Sequence, residues 1–240
     1  MRAAIGFLTR LPVGGGDLDA DRLSRAAIWF PLVGALVGGL VALVRLAAGE
    51  LIPAAPATAL ALLAAVLVTG ALHEDGLADV ADAFGAHTTR ERRLEIMRDP
   101  RIGTYGGLAI GFALLLSFSL LAPLDTQRFT EAVLCAHVLG RCAPVVQARM
   151  LAAARTDGAG ALFAPDARAA FVVTVLGVAF VLTLVGIQAG AAAIAAGAGA
   201  AVVLGALAVK TIGGVTGDVH GAAVKVVELA VYLALVATWS

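Results

Sequence analysis

Three regularly spaced aspartates follow the second long apolar run of the chain. Asp75, Asp79 and Asp82 lie at positions i, i+4 and i+7, so a helix that continued through this segment would carry all three on one face. Three like charges on one stripe repel each other unless a cation neutralises them. Carboxylate oxygens without a cysteine or a histidine-rich set suit Mg²⁺ or Mn²⁺ rather than Zn²⁺. The pattern therefore favours a divalent-metal site over a solvated helix end.

A second cluster, rich in arginine and glycine, occupies residues 97–107 directly before another apolar run. Glycine lets backbone N–H groups approach a phosphate closely, and the arginine fork matches phosphate oxygens. A basic membrane anchor with a flexible turn is the alternative interpretation, and both can hold together. The candidate residues are Arg98, Asp99, Arg101, Gly103 and Gly106.

Charged residues near or inside apolar segments complete the candidate set. Arg141 lies within an apolar segment, where an arginine needs a partner, either a structural ion pair or a bound phosphate. Lys225 and Glu228, at i and i+3, are expected to pair inside the membrane. Thr216 and Asp218 precede the last apolar run, where either can cap the helix and Asp218 can supply a further metal ligand.

The elements that position these residues are membrane-spanning helices. Of the 240 residues, 60% are hydrophobic and 14% are charged, whereas ordinary soluble domains carry about 25% charged residues. The formal net charge is zero, so charge gives no indication of a nucleic-acid partner and none is expected. The sequence predicts one integral membrane domain over 1–240, an all-α polytopic bundle of about seven transmembrane helices. The predicted spans are 27–47, 57–73, 106–122, 130–150, 169–188, 191–209 and 219–239.

Basic residues predict the orientation of this bundle. With seven spans, nearly all the arginines and lysines fall on the side of the N-terminus, and the opposite side receives little beyond Arg128. The positive-inside rule then predicts that the N-terminus and the site loops are cytoplasmic, and the expected location is a bacterial inner membrane. The same topology brings four polar, glycine-rich segments to one face, which predicts a cytoplasm-facing active site. These segments are 73–82, 97–107, 155–160 and 213–218.

Two segments outside the spans have predicted roles of their own. Residues 1–25 form an N-terminal interfacial segment, although their short amphipathic stretch 2–11 suits a buried cytosolic element equally well. Residues 73–105 form a cytoplasmic catalytic loop and helix. Within them, Thr88 and Glu91 have the spacing of a capping box that opens a short helix before Pro100.

An ordered set of motifs along the whole chain resembles the adenosylcobinamide-GDP ribazoletransferases, the cobalamin 5′-phosphate synthase family. The chain departs from the family pattern at Glu74, where an apolar residue is usual, and at Ala83, where glycine is usual. The motifs are Phe7-Leu8-Thr9-Arg10-Leu11-Pro12, Phe30-Pro31-Leu32-Val33-Gly34, His73-x-Asp75-Gly76-Leu77-Ala78-Asp79-x-x-Asp82, Met97-Arg98-Asp99-x-Arg101-x-Gly103-x-x-Gly106, Gly140-Arg141, Ala154-Arg155 with Gly158 and Gly160, and Thr216-Gly217-Asp218-x-x-Gly221-Ala222. The aspartate motif is also similar to that of the CDP-alcohol phosphotransferases, but it lacks their Ala-Arg pair and their later aspartates.

The resemblance implies a Mg²⁺-dependent phosphotransfer. A hydroxyl of α-ribazole, or of its 5′-phosphate, would attack the cobinamide-side phosphorus of adenosylcobinamide-GDP, and GMP would leave. The metal would be held by Asp75, Asp79 and Asp82, with Asp218 or Asp99 completing its shell. The substrate and its phosphates would be bound by Arg98, Arg101, Gly103, Gly106, Arg141, Arg155, Thr216 and Asp218.

The identity of the general base stays open between His73 and one of the aspartates. On a continuous helix His73 points away from the aspartate stripe by roughly half a turn. It could act as the base only if the helix is broken there, and a structural histidine at the interface is the equal alternative.

A secondary transporter or ion carrier is the competing class of protein. His137, Arg141, Lys225 and Glu228 would then line a pathway through the membrane. Against this class, the acidic and glycine-rich motifs are predicted on one face rather than at the bilayer midplane, and no inverted repeat is apparent. The expected partners are the two substrates and membrane lipid, and a homo-oligomer is compatible with the sequence.

Overall fold

The structure, a computed structural model, describes residues 1–14, 19–155 and 163–240. In these ranges the chain is helical, and its only β-pairing is an isolated bridge between Ala153 and Val215, which confirms the all-α prediction. The helices are α1 (Arg2–Leu8), α2 (Ala20–Ala26), α3 (Phe30–Gly49), α4 (Ala54–Thr69), α5 (Leu72–Gly85), α6 (Arg90–Ile96), α7 (Thr104–Leu121), α8 (Thr126–Met150), α9 (Ala167–Ile212) and α10 (Gly217–Trp239), with a 3-10 turn (Ala27–Trp29) between α2 and α3.

Five helical stretches of the described chain are long and apolar enough to cross a membrane. A sixth crossing is added if α4 and α5, which are bent against each other, are counted together. The five stretches are Ala20–Gly49, Thr104–Leu121, Thr126–Met150, Ala167–Ile212 and Gly217–Trp239.

The longest of them, α9, reverses direction within its length. Its 46 residues would rise about 69 Å as one rod, more than twice the ~30 Å hydrocarbon core of a bilayer. Gly186 has non-helical backbone angles, φ 78° and ψ 174°. A Cβ built on Gly190 would lie 3.2 Å from the Cα of Leu182, whereas residues eight apart in a straight helix are separated by about 12 Å. Each half of α9 therefore makes its own crossing, in agreement with the prediction of about seven spans.

The positions of the chain termini agree with an odd number of crossings. The N–H of Arg10, just after α1, donates to the carbonyl of Val68 at the end of α4 (2.7 Å). At the opposite end of the bundle, Arg128 in the first turn of α8 donates to the carbonyl of Trp239 (3.1 Å). The two termini therefore lie at opposite ends of the bundle.

Small residues allow the spanning helices to pack closely. A Cβ on Gly38 of α3 would lie 3.0 Å from the carbonyl oxygen of Val133 in α8, and one on Gly34 would overlap the carbonyl of His137. Close approach of this kind is how membrane helices associate without a hydrophobic driving force between them.

The helix does not continue from the second span into the aspartate stripe, so this prediction is wrong. α4 ends at Thr69, and both Gly70 (φ 63°) and Ala71 (φ 57°) adopt left-handed backbone conformations. The axis of α5 turns by 87° from that of α4. With 14 residues, α5 is about 21 Å long, too short to cross the membrane, and it lies outside the spanning segments. The three aspartates still share one face because all of them lie within α5.

The segments outside the spans pack against the same end of the bundle. The predicted cap at Thr88 is wrong by one residue, because Thr89 caps α6 and accepts the N–H of Arg92 (3.4 Å). α1 buries Ala4, Ile5 and Leu8 against the protein. Its apolar face is therefore covered by protein, and the interfacial position of residues 1–25 stays a prediction.

Candidate active site

Asp82 fastens the glycine-rich loop to α5. Its two carboxylate oxygens accept the backbone N–H groups of Gly103 (2.7 Å) and Gly106 (2.9 Å). Both donors lie at the N-terminus of α7, where a negative charge is favourable. Two N–H groups that the sequence assigned to a phosphate are thus bonded within the protein, and a predicted metal ligand positions the loop.

A second carboxylate at the same end of the bundle is paired with an arginine. Arg155 donates to Asp218 Oδ2 at 2.6 Å, and the Thr216 hydroxyl donates to the same oxygen at 3.2 Å. Thr216 also caps α10 by accepting the N–H of Val219 (3.3 Å). The predicted cap and the predicted proximity of Arg155, Thr216 and Asp218 are therefore present.

The contact between α5 and α10 brings the aspartates of the two helices together. A Cβ on Gly76 would lie 2.7 Å from the carbonyl oxygen of Asp218 and 3.2 Å from the Cα of Gly221. Only glycine at position 76 allows the two backbones to come so close. Asp75 and Asp79, which flank Gly76 on α5, are consequently held beside the first turn of α10.

The electrostatics of Asp79 show the crowding of negative charge. The pKa of Asp79 is raised from 3.8 to about 7, first by burial and then by the negative charges of Asp218, Asp75 and Asp82, whereas Arg155 lowers it. A cation placed among these carboxylates would relieve their repulsion. Within the described ranges, however, no three His, Cys, Asp or Glu side chains already converge as a metal-binding group.

Arg90, which the sequence did not single out, joins α6 to the end of α9 and to the residue before Arg155. Its guanidinium donates to the carbonyls of Ile212 (2.7 Å) and Ala154 (2.8 Å). Beside it, the N–H of Ala154 donates to the carbonyl of Val215 (2.8 Å). The predicted convergence of 73–82, 97–107 and 213–218 is present through the contacts of Asp82 with Gly103 and Gly106 and of Gly76 with Asp218. Of the fourth segment only Arg155 is described, and 156–160, with Gly158 and Gly160, lies outside the described residues.

The basic loop after α6 is exposed. Arg101 makes a two-pronged contact with Asp99, at 2.9 and 2.6 Å. Hydrogen bonds from Arg101 lower the pKa of Asp99 to about 2. Arg98 also lies on the surface. The loop therefore presents basic groups at the mouth of the site, and Asp99 neutralises one of them.

Arg141 lies apart from these groups, inside the bundle. The residue is 1% exposed, and its side chain forms an ion pair with Glu228, next to His137. Lys225 contacts the same Glu228 at 2.8 Å and Glu74 at 3.1 Å. The predicted Lys225–Glu228 pair is thus present, and Arg141 has the structural ion-pair role that was one of its two alternatives. Glu74, the departure from the family pattern, is the second carboxylate partner of Lys225.

His73 lies beside this ion network rather than on the aspartate stripe. Burial lowers the pKa of His73 well below its ordinary value, and the positive charge of Arg141 lowers it further. The helix break at Gly70 and Ala71 comes before His73, so His73 and the aspartates share one helix. The break that would have turned His73 towards the stripe is therefore absent.

A cavity between α5 and α10 contains a histidine that the sequence interpretation missed. The cavity has a volume of about 170 Å³, and Asp75, Asp218 and His220 line it. His220 is buried, and neither of its ring nitrogens has a hydrogen-bond partner among the described residues. Its position within the motif Thr216–Ala222 was the only sequence signal that pointed to it.

Fold and site together define a multi-pass helical membrane protein with a carboxylate and arginine site at one end of the bundle. Comparison with known families makes the assignment specific: the chain belongs to the cobalamin-5-phosphate synthase family, whose profile matches residues 1–236. This confirms the resemblance seen in the motifs. Since the family is one of enzymes, the transporter interpretation is set aside.

Relatives match the chain over nearly its full length. The adenosylcobinamide-GDP ribazoletransferase of Shewanella amazonensis is 38% identical, over 99% of this chain and 94% of the relative. The enzyme of the same name from Azorhizobium caulinodans is 40% identical, over 95% of this chain and 91% of the relative. That from Mesorhizobium japonicum is 41% identical, over 95% of this chain and 88% of the relative. No solved structure matches the chain.

Proposed function

We propose that the protein transfers the adenosylcobinamide phosphate group of adenosylcobinamide-GDP to α-ribazole or its 5′-phosphate, with Mg²⁺, forming adenosylcobalamin or its 5′-phosphate and GMP. The names of the relatives support the two substrate classes. The observation that carries the proposal is the close contact of α5 with α10 at Gly76, which sets Asp75 and Asp79 beside Asp218. Metal-assisted phosphotransfer needs carboxylates that bind the metal and cationic groups that bind the phosphates, and the site has both.

The residues present fit a Mg²⁺ ion that is completed by substrate. Mg²⁺ usually retains several waters and binds one or two carboxylates together with substrate phosphates, so a cluster of three protein ligands is not required. Asp75, Asp79 and Asp218 would hold it, and the raised pKa of Asp79 supports this choice. When bound, Mg²⁺ would neutralise charge on the diphosphate oxygens. Asp82, the fourth predicted ligand, is better suited to holding the loop, because both its oxygens already accept N–H groups.

Arginines and a hydroxyl of this chain would bind and orient the diphosphate. Arg155 is partly buried beside Asp218, so a phosphate that binds there can share its guanidinium with that carboxylate. Arg98 and Arg101 on the exposed loop would meet the outer phosphate, and the Thr216 hydroxyl would complete the contacts. Arg141 is omitted because its buried guanidinium is already paired with Glu228.

Asp75 is the aspartate best placed to accept the proton of the attacking hydroxyl, through the carboxylate oxygen that does not bind the metal. It is exposed on α5 and lines the cavity beside Asp218. His73 also lines that cavity, but burial next to the Arg141 charge disfavours its protonated form. A carboxylate at the cavity mouth is therefore the better general base.

The proposed location is a bacterial inner membrane, with the site on the cytoplasmic face. The support is the excess of basic residues at the end of the bundle that carries the site. Large apolar side chains such as Leu43, Leu115 and Phe171 are exposed on the spanning helices, where lipid would cover them. A homo-oligomer stays a prediction.

The test is turnover by purified protein in detergent, supplied with adenosylcobinamide-GDP, α-ribazole and Mg²⁺. We expect GMP and a cobamide to form in equal amounts and the reaction to stop when the metal is chelated. Asp79→Asn should abolish turnover without lowering the unfolding temperature of the metal-free protein, because the amide replaces a carboxylate that its neighbours repel. Asp125→Asn, a matched change at the opposite end of the bundle, should keep full activity because asparagine caps a helix as well as aspartate does. Absence of both products with the unmodified chain would refute the proposal, and an active Asp79→Asn would remove Asp79 from the site.

A further inference from the structure

His220 is a buried polar side chain whose hydrogen-bonding groups are unmet. It is 7% exposed, and both Nδ1 and Nε2 lack a hydrogen-bond partner among the described residues. A neutral imidazole carries one donor and one acceptor, and leaving either unsatisfied in the interior is destabilising. Because native proteins rarely retain such a group without a use, His220 points to a ligand.

A series of aromatic rings leads to His220 and forms one wall of the cavity. The ring of Phe30 is stacked on Phe163, with centroids 5.3 Å apart and planes inclined by 3°. Phe7 stacks on the other side of Phe30 at 6.0 Å. Phe163 meets the edge of His220 at 5.9 Å. This wall is therefore apolar, and His220 lies at its end.

The cavity volume limits what can enter. At about 170 Å³ it is smaller than the roughly 300–1,000 Å³ of pockets that hold drug-sized ligands. It can hold one flat ring system but no corrinoid or whole nucleotide. Asp75 and Asp218 also line it, so the sugar attached to a ring held there would lie beside the carboxylates of the site.

We propose that this cavity binds the planar aromatic base of the acceptor nucleoside, and that His220 donates a hydrogen bond to the free ring nitrogen of that base. The inference rests on the proposed function and names the subsite of its acceptor. The benzimidazole of α-ribazole has apolar faces and one free ring nitrogen. The cavity offers the apolar rings of Phe7, Phe30 and Phe163, together with His220, the imidazole in its lining whose two nitrogens lack partners among the described residues. Guanine, the base of the donor, carries several polar groups that these phenyl rings would leave unsatisfied.

The first test measures KM for each substrate separately in the full-length protein. His220→Phe keeps a flat ring and removes the nitrogens. We expect the KM for α-ribazole to rise about tenfold, the effect of losing one hydrogen bond, with the KM for adenosylcobinamide-GDP unchanged. His220→Gln, which retains a donor, should recover part of the loss. His87→Phe, a change at an exposed histidine of the α5–α6 loop, should alter neither KM.

The second test measures binding without turnover. Equilibrium dialysis of α-ribazole against the detergent-solubilised protein, without the donor substrate, should show weaker binding to His220→Phe and to Phe163→Leu. Free guanosine should not compete. Unchanged α-ribazole affinity in both variants, an equal rise in both KM values, or competition by guanosine would each overturn the inference. Failure of the unmodified chain to form product while it still binds α-ribazole would refute the proposed reaction and leave the subsite standing.

Discussion

Replacing Gly76 by alanine tests whether the contact between α5 and α10 positions the site. The added Cβ would lie 2.7 Å from the carbonyl oxygen of Asp218, 3.2 Å from the Cα of Gly221 and 3.3 Å from the N of Ala222. All three are backbone atoms, so no side chain can rotate away. To bring the oxygen contact out to the 3.4 Å at which ordinary Cβ contacts begin, the helices must separate there by 0.7 Å, the difference between 3.4 and 2.7 Å.

A displacement of that size has two separable consequences. Overpacking at a close contact costs about 1–3 kcal/mol of stability. A shift approaching 1 Å in groups that act on a substrate can lower the rate about 10²-fold. We therefore expect Gly76→Ala to lose one to two orders of magnitude in kcat, because Asp75 and Asp79 move away from Asp218.

The matched control is Gly39→Ala in α3. A Cβ at Gly39 meets nothing within 4 Å, so this variant gains helix propensity, about 0.5–1 kcal/mol, without a clash. The rate of GMP formation and the unfolding temperature in detergent are measured for both variants. Full activity of Gly76→Ala at unchanged stability would refute the assignment of the site to this helix contact.

Three further outcomes follow from the structure. Glu228→Gln should lower the free energy of unfolding, followed by SDS titration, by about 3–5 kcal/mol, because it leaves the buried charge of Arg141 uncompensated. Without metal, the unfolding temperature should fall as pH rises from about 4 to about 7, because the raised pKa of Asp79 means that the folded chain holds the proton more tightly than the unfolded chain. Mg²⁺ should therefore stabilise the protein more at about pH 8 than at about pH 5. Asp82→Asn should speed trypsin cleavage after Arg101 several-fold, since an amide nitrogen would face a backbone N–H and release the loop.

Each of these outcomes has its own control. Glu131→Gln alters an α8 carboxylate whose hydrogen-bond partner, among the described residues, is Gln127 one helical turn away. Its effect should stay within about 0.5 kcal/mol. Asp79→Asn should remove the pH dependence and the extra Mg²⁺ effect together. Retention of either one in that variant would show that another carboxylate is responsible. Unchanged trypsin cleavage in Asp82→Asn would mean that the loop is held by other contacts.

The sequence predicted the elements well because their causes are local. Apolar runs of spanning length, the i, i+4, i+7 aspartates and the i, i+3 pair of Lys225 with Glu228 all depend on neighbours within a few turns. The break before α5 was missed, because Ala71 adopts a left-handed conformation (φ 57°) for which alanine has no preference. Gly70 was the residue that could have signalled the break, because a glycine in the left-handed conformation commonly ends a helix.

The parts of the site that were missed depend on partners far along the chain. His220 becomes notable only when Phe163, 57 positions earlier, packs against its edge and the cavity forms beside it. The choice between an ion pair and a bound phosphate for Arg141 is settled only when the fold places Glu228 next to it. The carboxylate of Asp82 similarly meets Gly103 and Gly106 across a helix and a loop. Spacing along the sequence narrows the possible roles of these residues. Their contacts in the folded chain decide which role each one has.

The ion pair between α8 and α10 has a consequence for how the chain enters the bilayer. Arg141 and Glu228 are separated by 87 residues. At a synthesis rate of about 5–20 residues per second, α8 emerges from the ribosome roughly 4–17 seconds before its counter-charge does. During that interval an isolated arginine in lipid is unfavourable by about 2.5–3.5 kcal/mol or more. We therefore expect α8 to stay beside the translocon or an insertase until α10 arrives. The charge of Arg141 is then neutralised by Glu228 only late in membrane insertion.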